Sequence, residues 1–155
     1  DTVKPSVVSR LPVTQSRTQC PRLLCIDDDR AIIHALQLRL SSHAVEVPQA
    51  TNGVDGIQLA LTQQPDVILT DWRMNRCSGA DVLSCLRHKR QTQHTPVIVI
   101  SGVLQPGLKY EALNLGADSF YAKPLSFHDL VAELVSRLSL RSLSMLPRPR
   151  IAQRD

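Results

Sequence analysis

Three carboxylates, a hydroxyl and an amine stand at the ends of short apolar runs in this 155-residue chain. Asp27 and Asp28 follow residues 22–26, Asp71 follows 67–70, Ser101 follows 96–100 and Lys123 follows 119–122. The runs are short and partly β-branched, which predicts strands buried on both faces, as in a parallel sheet. Ligands of open α/β sheets bind at the carboxyl ends of the strands. Neighbouring strands lie about 5 Å apart, so adjacent strand ends would bring all five side chains together. Carboxylates this close repel, and burial opposes their charge further. A hard divalent cation such as Mg²⁺, which takes a few carboxylates, carbonyls and retained waters, relieves that repulsion. Lys123 adds a second positive charge on the far side. Such a pocket suits a phosphoryl group: the cation and the ammonium offset its oxygens, Ser101 donates a hydrogen bond, and one carboxylate attacks.

The intervening segments must form the helices that set those strands side by side. A first helix is predicted over 29–41, with Ile32, Ile33, Leu36 and Leu40 on one face and Asp28 or Asp29 as its cap. A second strand is expected at 45–50, and its Pro48 suits only a sheet edge. Val54, Ile57, Ala60 and Leu61 mark a second helix, which ends before Pro65. Val82, Leu83 and Leu86 mark a third, followed by a polar connector over 87–95. The fourth helix is expected from Pro106, with Leu108, Ala112 and Leu115 inward and Gly116 as its stop. The last runs from 125 to about 141, with Leu130, Leu134 and Leu138 aligned. Five strands alternating with five helices predict an α/β, flavodoxin-like, doubly wound parallel sheet of order 2-1-3-4-5.

Length and composition fit one domain with tails, at 43% hydrophobic residues. Residues 1–20 read as a disordered or loosely docked extension, 21–140 as the folded domain and 141–155 as a basic tail. No run approaches the roughly 18 apolar residues of a membrane span, and no secretion signal is visible. Cys20, Cys25, Cys77 and Cys85 lack metal-ligand spacing and read as free thiols of a cytoplasmic protein. The net charge of +4 is concentrated in Arg87–Arg90 and in the tail, which lacks aromatic residues to stack bases. Solvated basic surface is therefore expected, without direct DNA binding.

Taken together, Asp27-Asp28, Asp71, Ser101 and Lys123-Pro124, at successive gaps of 43, 30 and 22 positions from Asp28, resemble the receiver domain of two-component response regulators. Gly116-Ala117-Asp118 before the fifth strand adds to the resemblance, which covers about 21–138. It implies phosphotransfer to Asp71 from a sensor histidine kinase or phosphotransfer protein. It also implies Mg²⁺ on Asp28, Asp71 and the backbone carbonyl of Arg73, with Asp27 in support. Ser101 and Phe120 would be the switch residues and Lys123-Pro124 a cis peptide. Such a domain is not an enzyme in the usual sense, although it takes part in its own phosphorylation and dephosphorylation.

Some positions depart from the family pattern. Asn75 stands where a proline is common, Ser78 where an acid often precedes the glycine, and Gly102 where alanine is usual. Arg73 falls at the pocket rim, within reach of phosphoryl oxygens. A downstream protein target is expected on the face of helix four, strand five and helix five, near Lys109, Tyr110 and Tyr121. The chain would be a monomer or weak homodimer, with no membrane partner. Alternatives are a pseudo-receiver that signals without phosphate, a phosphoaspartyl-type hydrolase, and a receiver cut from a longer regulator.

Overall fold

The computed structural model describes residues 20–144. Apart from Cys20, the expected extension at 1–20 lies outside the described residues, as does the tail beyond 144. In order along the chain are β1 (Leu23–Ile26), α1 (Arg30–Leu40), β2 (Gln49–Ala50), α2 (Gly53–Gln63) and β3 (Val67–Asp71). They are followed by α3 (Gly79–His88), β4 (Val97–Ser101), α4 (Leu108–Asn114), β5 (Ser119–Ala122) and α5 (Phe127–Ser144). The strands form one parallel sheet of order β2-β1-β3-β4-β5, as predicted.

Alternation within the central strands feeds two cores. Leu23, Cys25, Val67, Leu69, Ile98 and Ile100 pack with Ile33, Leu36, Leu130, Leu134 and Leu138 of α1 and α5. Leu24, Ile26, Ile68, Val97 and Val99 pack with Ala60, Val82, Leu83, Leu86 and Ala112 of α2, α3 and α4. Both faces of β1, β3 and β4 are therefore dry, which explains their unbroken apolar runs. Asp29 caps α1, its Oδ1 accepting the Ala31 N–H at 3.0 Å.

The second strand is shorter than predicted because of Pro48. Leu23, Cys25 and Asp27 donate their N–H groups to the carbonyls of Glu46, Pro48 and Ala50. The imide nitrogen of Pro48 returns nothing to β1, so regular pairing is limited to Gln49 and Ala50, with an isolated bridge at Glu46. Helix α4 starts two residues later than Pro106, because Gly107 has φ 84°, outside the helical region. Helix α5 likewise starts at Phe127 rather than Leu125 and runs past 141. Val54 and Leu115 face solvent rather than the core. In α2 the inward place next to Ile26 belongs to Gly56, where a Cβ would lie 2.5 Å from Ile26 Cδ1.

The stretch read as a polar connector is built around Arg87, which is not part of a solvated basic cluster. Its guanidinium donates to the Gly116 carbonyl at 2.7 and 3.0 Å, to the Thr95 carbonyl at 2.8 Å and to Asp118 at 3.1 Å. Thr92 folds back beneath it, its hydroxyl donating to the Leu86 carbonyl at 2.8 Å. Arg87→Ala would leave these part-buried carbonyls without a donor, and chemical denaturation should show a loss of about 2 kcal/mol. Arg87→Lys should recover only part of it, since one ammonium does not reproduce the planar fork.

Candidate functional site

The register of the sheet sets the site. Ile26 lies opposite Thr70 and Asp71 opposite Ile100, so Asp27, Asp71 and Ser101 end three adjacent strands at one edge. Ser101 lies opposite Ala122, and its carbonyl accepts the Lys123 N–H at 2.8 Å, which brings the fourth strand end in line. Asp27, Asp71 and Ser101 are buried, whereas Asp28 is exposed. One ligand oxygen from each of Asp27, Asp28 and Asp71 falls within 4.8 Å of the others. Lys123 Nζ stands 3.6 Å from Asp27 Oδ2 and 3.6 Å from Asp71 Oδ2. The Lys123-Pro124 bond is cis, as the resemblance implied.

Two main-chain donors complete the cluster, and neither was visible as a motif. The Trp72 N–H donates to Asp71 Oδ1 and the Asp29 N–H to Asp27 Oδ1, both at 2.8 Å. Only the local turn after each strand end creates them, whereas a run of aspartates reads first as helix capping. Ser101 Oγ accepts the Val103 N–H at 3.1 Å and so fastens the start of the loop after β4. Phe120 is half-buried against the α2–α4 core, and Tyr121, on the opposite face of β5, donates to Glu133 at 3.3 Å. An open cleft of about 490 Å³ leads outward from the cluster, lined by Asp71, Arg73, Gly102, Val103, Leu104 and Lys123.

Crowding of charge shows in the titration of the acids. Burial pushes the Asp27 carboxyl up to about 6; Asp71 adds to the rise, while the Asp29 N–H and Lys123 oppose it. Burial likewise raises Asp71, against the pull of Lys123 and the Trp72 N–H. Asp27 Oδ2 is buried and has no hydrogen-bond partner. A buried carboxylate oxygen whose nearest cation, Lys123 Nζ, stays just beyond hydrogen-bond distance at 3.6 Å, two further carboxylates beside it and an outward cleft together fit a hard divalent cation. Among the described residues no other group of three ligating side chains comes together. The cysteines are free, and burial lifts the Cys25 thiol to about 12. None of the described helices is long and apolar enough to cross a membrane.

Comparison with known proteins points the same way. A family model described as the response regulator receiver domain matches residues 23–135. The DNA-binding dual master transcriptional regulator RpaA of Synechocystis is 32% identical over 82% of this chain and 52% of its own length. The cell cycle response regulator CtrA of Brucella ovis is 34% identical over 73% of this chain and 48% of its own. The chain thus spans about half the length of the curated relatives it matches. Among solved structures, the receiver domain of the Francisella response regulator 1452 is 31% identical, with a TM-score of 0.69 over 79% of this chain and 98% of that one. The chemotaxis protein CheY4 of Vibrio cholerae is 25% identical, also at 0.69, over 77% and 99%.

Proposed function

Because this chain belongs to the response regulator receiver domain family of two-component signalling, we propose that it accepts a phosphoryl group on Asp71 and answers by changing its protein contacts. The donor is a phosphohistidine of a sensor kinase or phosphotransfer protein. Receiver domains of this kind are not conventional enzymes, and the catalysis lies in how this pocket is arranged. The observation that carries the reading is Lys123 Nζ, 3.6 Å from carboxylate oxygens of both Asp27 and Asp71 at the head of an open cleft.

Asp28, Asp71 and the Arg73 carbonyl would hold Mg²⁺, with Asp27 in support. When bound, Mg²⁺ supplies positive charge against the phosphoryl oxygens. An Asp71 carboxylate oxygen attacks phosphorus, the bond to the donor nitrogen breaks, and that nitrogen leaves with its electron pair. Lys123 meets the negative charge on the transferred oxygens. If the Ser101 hydroxyl turns toward them, it releases the Val103 N–H, so occupancy of Asp71 and the tether of the following loop are alternatives. Phe120 has no hydroxyl and takes part by packing alone. This reading keeps 21–140 as the receiver domain and places it in the cytoplasm, as a monomer or weak homodimer.

Acetyl phosphate with Mg²⁺ should add the mass of one phosphoryl group, labile to base and mapped to Asp71, and Asp71→Asn should take up none. A wild-type chain that accepts neither acetyl phosphate nor BeF₃⁻ would leave the pseudo-receiver reading standing. The hydrolase reading lacks an acid/base carboxylate two positions after Asp71, where Arg73 stands. A second reading, a receiver portion of a longer regulator, is favoured by the half-length coverage of relatives named as transcriptional regulators. In that case contact with DNA belongs to another portion.

The raised acids predict how metal and pH combine. Asp27 titrates higher in the folded chain than in the unfolded one, so the folded state binds the extra proton. Its contribution to stability is present at low pH and is lost as pH rises through about 6. Mg²⁺ replaces the missing positive charge. Thermal unfolding should therefore show a larger Mg²⁺-dependent rise in Tm on the alkaline side of that pH than on the acid side, and Asp27→Asn should raise the metal-free Tm.

A further inference from the structure

Strand β2 leaves one edge of the sheet open. The carbonyls of Glu46, Pro48 and Ala50 turn inward to β1, where they accept the N–H groups of Leu23, Cys25 and Asp27. Successive residues of a strand turn their main-chain groups to opposite sides, so Val45, Val47 and Gln49 turn theirs outward. Those outward N–H groups have no partner among the described residues, and the Val47 carbonyl has only the Gln37 side chain, at 3.5 Å. Edge strands are commonly guarded by outward charge or by a proline that removes an outward N–H. Here Pro48 faces inward, and none of the three outward residues is charged. Apolar surface flanks the edge on the α1 side, where Val45 and Val47 pack on the core and Leu38 is 61% exposed. On the α2 side lies an open cleft of about 500 Å³, lined by Gln49, Thr51, Asp55, Gln58 and Thr62 together with Arg30.

We propose that residues 9–15 of this chain close that edge as a sixth strand, antiparallel to β2. The point where the chain enters the fold favours this occupant. The Cys20 thiol donates to the Ala44 carbonyl, and the Pro21 carbonyl accepts the Glu46 N–H at 2.9 Å. Residues 1–19, which lie outside the described residues, therefore join the domain at the foot of β2. Pairing Val13 with Val47 sets Gln15 opposite Val45 and Leu11 opposite Gln49. Residues 16–19 then carry the chain beneath β2 across two strand spacings, about 10 Å, and four residues reach about 13 Å. In this register Pro12 falls opposite Pro48, and both imide nitrogens face away from the shared ladder. Opposed residues project to one face of a sheet, so Leu11 and Val13 join Val45 and Val47 on the side of Leu38. Arg10, Pro12 and Thr14 turn toward the cleft beside α2. A tethered segment meets the edge at an effective concentration on the order of mM, which a weakly associating second copy does not match. No phosphoryl group takes part, so the pairing stands apart from the phosphoacceptor reading.

Amide hydrogen exchange, read by NMR on the full chain, tests the pairing in wild type, Val13→Pro and Thr14→Pro. In this register the Val13 N–H points to β2 and the Thr14 N–H points away, so only the first substitution removes a ladder bond. The Val47 and Gln49 amides should exchange at least about tenfold faster in Val13→Pro than in wild type, while Thr14→Pro stays within about twofold of wild type. Amides of Leu24 and Ile68, in the interior of the sheet, should keep their rates in all three chains, which shows that the domain itself is intact. Equal exchange at Val47 and Gln49 in wild type and Val13→Pro would overturn the proposal, and so would equal acceleration by both prolines. Protection that fades on dilution, as sedimentation follows a dimer coming apart, would give the edge to a second copy and overturn it too.

Discussion

Lys123→Ala is expected to slow phosphorylation of Asp71 by acetyl phosphate by roughly 10²–10³-fold, the loss typical of removing one preorganised charge-stabilising donor. Nζ stands 3.6 Å from each of two carboxylates, so the substitution removes their common counter-charge. Its second consequence has the opposite sign. Without the ammonium the carboxylates attract a divalent cation more strongly, so Mg²⁺ affinity should rise while the transfer rate falls. A general loss of structure would lower both. Rapid-quench assays for the rate and calorimetric titration for the metal separate the outcomes. Lys123→Arg should restore the charge but not the placement, giving partial recovery at most.

Gly79→Ala is expected to destabilise the fold by about 3 kcal/mol, near the upper end for overpacking. A Cβ at this position would lie 2.6 Å from the Asp71 carbonyl oxygen and 2.7 Å from Trp72 Cα. Both are main-chain atoms and cannot rotate away, so the start of α3 or the end of β3 has to shift. Either movement also displaces Asp71. The Gly79 N–H donates to the Trp72 carbonyl at 2.7 Å, and that bond would be strained as well. Denaturation midpoints and phosphorylation rates should therefore fall together. Gly102→Ala is the control: its Cβ would have ordinary contacts only, and its stability should stay within about 0.5 kcal/mol of wild type.

The sheet and the strand-end residues were legible because both follow from short-range pattern. Runs such as Val97–Ile100 carry apolar side chains on both faces, and the first polar residue after each marks where the sheet ends. Adjacency of strands 1, 3, 4 and 5 then placed Asp27, Asp71, Ser101 and Lys123 together without knowledge of any contact. Features that depend on distant partners were not legible. Arg87 reads as one of several surface cations, and only the fold brings Gly116 and Asp118, some 30 positions away, to its guanidinium. Val54 satisfies a helical apolar stripe, yet the close approach of α2 to Ile26 leaves the inward place to a glycine. Pro48 announced an edge strand correctly, but its effect on the length of pairing depends on which N–H groups face β1.

Trp72 is the only tryptophan in the chain, and its main-chain N–H donates directly to the Asp71 carboxylate. Its indole is partly buried against the core beneath α2–α4, one residue from the Asp71 carboxylate. The molecule therefore carries a built-in optical probe. Emission from a single fluorophore should report arrivals and departures at the pocket in real time, in unlabelled protein and without competing signal from other indoles in the same chain.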